Sequence, residues 1–137
     1  MKYIFDHPIV ATIGTVKYKC TVQWLHGKFI MDEPAKNGGN DLGPDPYTLL
    51  LSSLGACTIT TLRMYIDRKG WDIPEIKVSV NMYQTVSETL TTTIIRDIHF
   101  AASVPTEQKD RLLLIAKKCP VSKILENNII INTNTAI

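Results

Sequence analysis

A large excess of either positive or negative charge is missing from this chain. Its 15 Lys and Arg residues against 13 Asp and Glu leave a formal charge of +2 over 137 residues, too small to call for nucleic acid or another polyanion as partner. No apolar run reaches the roughly 18 residues expected of a membrane helix. The opening MKYIFDHPIVATIG also lacks the basic-then-apolar layout of a secretion signal, so the expectation is a soluble, cytoplasmic protein with no membrane partner. Cysteine is scarce. Cys20, Cys57 and Cys119 are odd in number and far apart, which argues against the disulfide framework of a small secreted domain. No pair among these cysteines and His7, His26 and His99 has the short spacing that structural zinc sites favour, so no metal is expected. Repeats, low-complexity tracts and linkers are lacking too. With 45% hydrophobic and 20% charged residues, the composition is that of one globular domain spanning 1–137 with one core.

What is present reads first as a β-meander. Short alternating stretches run from Ile9 to Met31, with His26-Gly27-Lys28 as a turn between two of them. The segment DEPAKNGGNDLGPD, from Asp32 to Asp45, is dense in residues that favour turns and forms a loop. Asp45 then offers a capping carboxylate and Pro46 a preset first-turn angle, opening a long helix over 46–69 that Gly70 ends. This helix is apolar through its first half and charged only near Arg63, Asp67, Arg68 and Lys69, as suits a central, enclosed element. Two strands, Glu75–Tyr83 and Thr91–Ala102, pair as a hairpin. A second helix runs from Pro105 to Lys118, a short one from Pro120 to Leu125, and Ile129–Ile137 closes as a strand. The fold class is α+β.

The residues that carry chemistry are cysteines. Cys119 stands directly before Pro120-Val121-Ser122, where free N–H groups at a helix start favour a thiolate; Lys117 and Lys118 add positive charge nearby. Cys57 sits among small residues, Ser52-Ser53-Leu54-Gly55-Ala56-Cys57-Thr58, which leave room for a molecule to approach. The residues alone leave open whether Cys57 is a reactive thiol or a small apolar side chain in a closely packed helix. Cys20, on an alternating strand without Gly or Pro beside it, reads as structural.

Two longer strings carry a resemblance. Gly38-Gly39-Asn40-Asp41-Leu42-Gly43-Pro44-Asp45-Pro46 followed by Leu49-Leu50-Leu51, Leu54-Gly55 and Cys57 is similar to the GG-x-x-x-GP-x-P-x-x-LLL-x-x-LG-x-C stretch of OsmC-like proteins. Cys119-Pro120-Val121-Ser122 resembles their CPV[HS] motif, and Thr61-Leu62-Arg63-Met64-Tyr65-Ile66-Asp67-Arg68-Lys69-Gly70-Trp71 resembles a subgroup of the same family. The resemblance, which covers the chain from about Asp32 onward, implies a two-layer OsmC/Ohr fold in an intertwined homodimer with buried central helices. It also implies a thiol peroxidase that reduces organic hydroperoxides in oxidative or osmotic stress defence. Cys57 would become a sulfenic acid, Cys119 would close a disulfide with it, and a dithiol would reopen the bridge, with no cofactor.

The sequence departs from that pattern twice. The family's peroxidases place a Glu nine residues before the reactive cysteine, where this chain has Thr48. They also supply an Arg ahead of the helix, whereas the first arginine here is Arg63. Lys36 offers charge near that position, without the planar two-pronged geometry of a guanidinium. The alternative is therefore a dimeric binding protein on the same fold that takes a small molecule and does no peroxide chemistry. A thiol hydrolase would need a base beside a cysteine, and none of the three histidines lies in a recognisable nucleophile motif.

Overall fold

A computed structural model describes residues 2–136. It is α+β: strands β1 (Val10–Ile13), β2 (Cys20–Trp24) and β3 (Gly27–Met31), a 3-10 turn at Ala35–Asn37, helix α1 (Pro46–Lys69), strands β4 (Ile76–Val86) and β5 (Leu90–Phe100), and helices α2 (Thr106–Ala116) and α3 (Pro120–Leu125). These form two compact units, the first ending at Leu50 and the second beginning at Leu51.

The first unit is the expected meander, with β1, β2 and β3 antiparallel in that order and Cys20 opposite Ile13 and Met31. Its glycine-rich loop is organised around one buried carboxylate. Asp32 accepts backbone N–H groups from Tyr18 at 3.1 Å, Glu33 at 2.8 Å, Asn40 at 3.2 Å and Leu42 at 3.2 Å. Two of the loop's three glycines answer to close backbone approach. A Cβ on Gly39 would come within 2.0 Å of the Glu33 carbonyl oxygen, and one on Gly43 within 2.2 Å of that of Ile30, so only glycine fits. Burial would raise the Asp32 pKa, but the four N–H donors outweigh it and hold the carboxyl below its ordinary value. With a folded pKa below the unfolded one, the stabilisation is present above the unfolded value and disappears as pH falls through the folded one. Asp32→Asn, which loses the charge, is accordingly expected to lower the melting temperature at neutral pH and to make it less dependent on pH in the acid range; equal acid sensitivity in both proteins would refute the assignment.

Helix α1 starts and stops where the sequence indicates. Asp45 Oδ1 accepts the Thr48 N–H at 3.2 Å and also the Thr48 hydroxyl, closing the first turn. At the other end Gly70, with φ of 68°, donates to the Asp67 carbonyl at 3.2 Å, and Trp71 donates to that of Ile66 at 3.1 Å, the paired bonds of a glycine-terminated helix. The expectation that no segment matches a membrane span needs correction. Over an 18-residue window within its 24 residues, α1 has a mean hydropathy of 1.4, long and apolar enough by composition, because Thr, Ser, Gly and Tyr interrupt the apolar run without lowering its mean much. Leu62, Tyr65 and Ile66 of this helix nevertheless lie in the core of the second unit.

That core places helices on a two-stranded sheet. Leu62, Tyr65, Ile66, Ile73, Leu112 and Ile115 pack together, with Ile98 and Phe100 of β5 against them. Each such side chain, once buried, contributes about 1.5–3 kcal/mol. β4 and β5 pair antiparallel along their whole length, from Ile76↔Phe100 to Val86↔Leu90. The third string of the resemblance proves structural here. Arg63 donates to the carbonyls of Ile73 at 2.8 Å and Pro74 at 3.2 Å, Tyr65 meets Trp71 edge-on at 5.5 Å, and Arg111 Nε donates to the Tyr65 hydroxyl at 3.0 Å.

Two expectations fail. The first half of α1 is not enclosed by this chain, since Tyr47 and Leu50 stay exposed. Residues 128–136 form no strand: Ile130 and Ile131 are each 83% exposed, and β-branched residues adopt extended backbone without a ladder when no strand edge is paired with them. Ile137 lies outside the described residues.

Candidate functional site

Cys57 and Cys119, 62 positions apart in sequence, are brought together in the second unit. Cys57 lies midway along α1. Cys119 comes from the junction that Pro120 forces between α2 and α3, where Lys123 donates its N–H to the Cys119 carbonyl at 3.1 Å and starts the new helix. Thr58, the residue after Cys57, has its Oγ1 3.9 Å from Cys119 Sγ, and each thiol bears on the other's ionisation. Cys57 is half-buried and Cys119 fully buried, and both are free thiols.

Their environments push them apart. Burial and the hydrogen bond with Cys119 raise the Cys57 pKa, against smaller opposing effects of the Val121 N–H and the Thr61 hydroxyl. Burial would raise Cys119 as well, but hydrogen bonds from the Cys57 thiol, the Ser122 N–H and hydroxyl, and Thr58 prevail and lower it. The pair thus loses its first proton as a unit. The helix-start effect expected from sequence is present only in part. α3 has six residues and Cys119 makes no side-chain capping bond; the Ser122 N–H acts only as one of the influences that lower the Cys119 pKa. Lys117 and Lys118 are exposed.

Sequence reasoning missed Arg96. Its Nη1 donates to Ser122 Oγ at 2.6 Å and to Thr58 Oγ1 at 3.0 Å, and Thr58 Oγ1 lies 3.9 Å from Cys119 Sγ. A signal was available: on β5, residues 94, 96, 98 and 100 are half-buried while 95, 97 and 99 are exposed, so Arg96 occupies an inward position between isoleucines, where a charge is out of place unless something needs it. Arg96, Ser122, Leu54, Ile94, Leu125 and Glu126 line a cavity of about 350 Å³.

The remaining candidates lie elsewhere. Thr48 serves the α1 cap. Lys36 is exposed in the 3-10 turn of the first unit, and Cys20 is half-buried on β2. His99 meets Ser79 at 3.3 Å instead of a thiol. Among the described residues no three His, Cys, Asp or Glu side chains gather as metal ligands.

The family model described as OsmC-like protein matches residues 38–134, which contain both cysteines of the pair. The chain belongs to the OsmC-like protein family. No curated protein matches it. Among solved structures, this OsmC-like chain is similar to an organic hydroperoxide resistance protein OsmC from Legionella pneumophila, with 17% identity, 93% of each chain covered and a TM-score of 0.68. It is similar also to an OsmC-like protein from Mycoplasma pneumoniae, with 21% identity, 90% and 89% covered and a TM-score of 0.68. A third, the organic hydroperoxide resistance protein OhrB of Bacillus subtilis, shares 18% identity over 92% of this chain and 94% of its own, with a TM-score of 0.66. At these identities the likeness establishes the OsmC/Ohr fold.

Proposed function

We propose that this OsmC-like protein is a thiol-dependent peroxidase that reduces organic hydroperoxides, with Cys57 as the attacking thiol and Cys119 as the resolving one. The observation that carries the reading is that folding sets Cys119 against the part of α1 that bears Cys57, with Cys119 Sγ 3.9 Å from Thr58 Oγ1, one thiol half-buried and reachable and the other enclosed. A peroxide must meet the reachable sulfur, and an enclosed partner is suited to trap the sulfenic acid before further oxidation. Two of the structurally similar proteins carry organic hydroperoxide resistance in their names, which agrees with this substrate class. Apolar side chains near the site, Leu54 and Ile94 among them, favour an alkyl hydroperoxide over hydrogen peroxide. The protein works as a homodimer in the cytoplasm on this reading, because the apolar first half of α1 is left uncovered by its own chain and a second copy is the occupant that the family resemblance supplies.

A dithiol-coupled assay tests the function. Consumption of an alkyl hydroperoxide is expected to exceed that of hydrogen peroxide, and limiting hydroperoxide alone should leave a Cys57–Cys119 disulfide visible by mass spectrometry. Free Cys57 after that treatment would overturn the reading in favour of a binding protein, the alternative to which the missing Glu at Thr48 points.

A further inference from the structure

We propose that the cavity beside Arg96 is a binding site for a small aliphatic monocarboxylate: the Nε and Nη2 edge of the guanidinium takes the carboxylate, and Leu54, Ile94 and Leu125 take the hydrocarbon. The site shares walls with the one assigned to the peroxide above. Its occupancy does not depend on peroxide chemistry, so it goes beyond the peroxidase reading.

The donors of Arg96 are only partly used. Its Nη1 donates to Thr58 Oγ1 at 3.0 Å and to Ser122 Oγ at 2.6 Å, which occupies both protons of that nitrogen. Thr58 Oγ1 is free to accept because its own proton goes to the Leu54 carbonyl at 2.7 Å. The three remaining N–H groups, one on Nε and two on Nη2, have no partner among the described residues. Arg96 is half-buried, and no buried side-chain nitrogen or oxygen among the described residues is left unpaired, so these donors are open to solvent. Together Nε and Nη2 present two parallel N–H bonds, the fork that matches a carboxylate. Thr58 on α1 and Ser122 on α3 are 0% and 3% exposed. They grip the guanidinium at its other nitrogen, so the fork is held in place before a ligand arrives.

The charge also lacks a counter-ion. Thr58 and Ser122 are neutral, and no carboxylate among the described residues forms an ion pair with Arg96. In the hairpin register Arg96 stands opposite Val80, between the pairs Met82↔Ile94 and Val78↔Ile98, all of them half-buried. That face of the sheet is otherwise apolar, and a half-buried guanidinium with only neutral partners on such a face favours an anion beside it.

The cavity that Arg96 lines, about 350 Å³, gives the anion room and is at the small end of ligand pockets. Its walls of Leu54, Ile94 and Leu125 suit a short alkyl body. Glu126, exposed on the same lining, repels negative charge and weighs against a dianion such as phosphate.

Hexanoate is the probe, added to the full reduced chain and followed by calorimetry and by the Nε–H proton resonance of Arg96, with melting temperatures measured alongside. Hexanoate should bind at least about tenfold more tightly than hexanol, which has the chain without the charge. It should also bind more tightly than acetate, which has the charge without the chain, and should move the Arg96 Nε–H signal. Arg96→Gln should weaken hexanoate by roughly tenfold or more and leave hexanol unchanged, and Arg96→Lys should recover part of the loss by keeping the charge without the fork. Glu126→Gln should tighten hexanoate by about two- to threefold at low salt. Should Arg96→Gln fail to fold, the weaker binding in Arg96→Lys decides. No binding of hexanoate, equal binding of hexanoate and hexanol, or unchanged hexanoate affinity in folded Arg96 variants overturns the proposal. So does an Arg96 Nε–H signal that stays in place while hexanoate binds. Absence of peroxide consumption would instead remove the function proposed above and leave this binding as measured.

Discussion

Replacing Cys57 by serine is expected to cut dithiol-dependent consumption of an alkyl hydroperoxide by at least about a thousandfold, since a hydroxyl at neutral pH supplies almost none of the anion that a thiol supplies. Cys119→Ser should behave differently. Its first turnover can proceed, but the sulfenic acid formed at Cys57 then has no thiol to meet. Repeated exposure should carry Cys57 on to the sulfinic acid, a gain of two oxygens by mass, while dithiol-supported cycling stops. The contrast separates two roles that identical losses of activity would not: attack resides in the reachable sulfur and protection in the enclosed one. Turnover surviving in Cys57→Ser would assign the chemistry elsewhere. Equal over-oxidation of the parent and Cys119→Ser would remove Cys119 as the resolving thiol.

Much of this arrangement was legible in the sequence because local chemistry dictated it. Asp45-Pro46 and Gly70 mark the ends of α1, since a capping carboxylate, a preset φ and a left-handed residue have few other uses in that order. Pro120 separates α2 from α3 for the same kind of reason. The meander and hairpin follow from period-two alternation, with ends that differ by a few residues. The last segment was misjudged because a β-branched run states a backbone preference and says nothing of the partner that a strand requires. The enclosure of α1 was misjudged for a related reason: apolar composition says that a surface seeks cover without saying which chain supplies it. At the site, the cysteines were found through motif strings, whereas Arg96 lies 23 residues from Cys119 and is joined to it only by folding. Its alternation phase on β5 was the one sequence signal, an arginine at a half-buried position.

The largest stability effect is expected from Leu62→Ala. Leu62 is completely buried in the cluster that joins α1 to Ile73 and to Leu112 and Ile115 of α2, with Ile98 and Phe100 of the sheet beneath. Removing most of its side chain loses the transfer free energy and leaves a cavity that the surrounding helices cannot fully close, about 3–4 kcal/mol. For a chain of this length the melting temperature should fall by roughly 10–15 °C. Leu62 is one helical turn from Thr58 and adjacent to Thr61, two residues that contact the thiol pair, yet it belongs to the core and makes no polar contact with either sulfur. Measured well below its melting transition, the variant should therefore still close the Cys57–Cys119 disulfide after limiting hydroperoxide, as the parent is expected to. A Leu62→Ala protein that is folded but no longer closes that disulfide would mean that core packing, and not the local contacts of the two cysteines, governs their pairing.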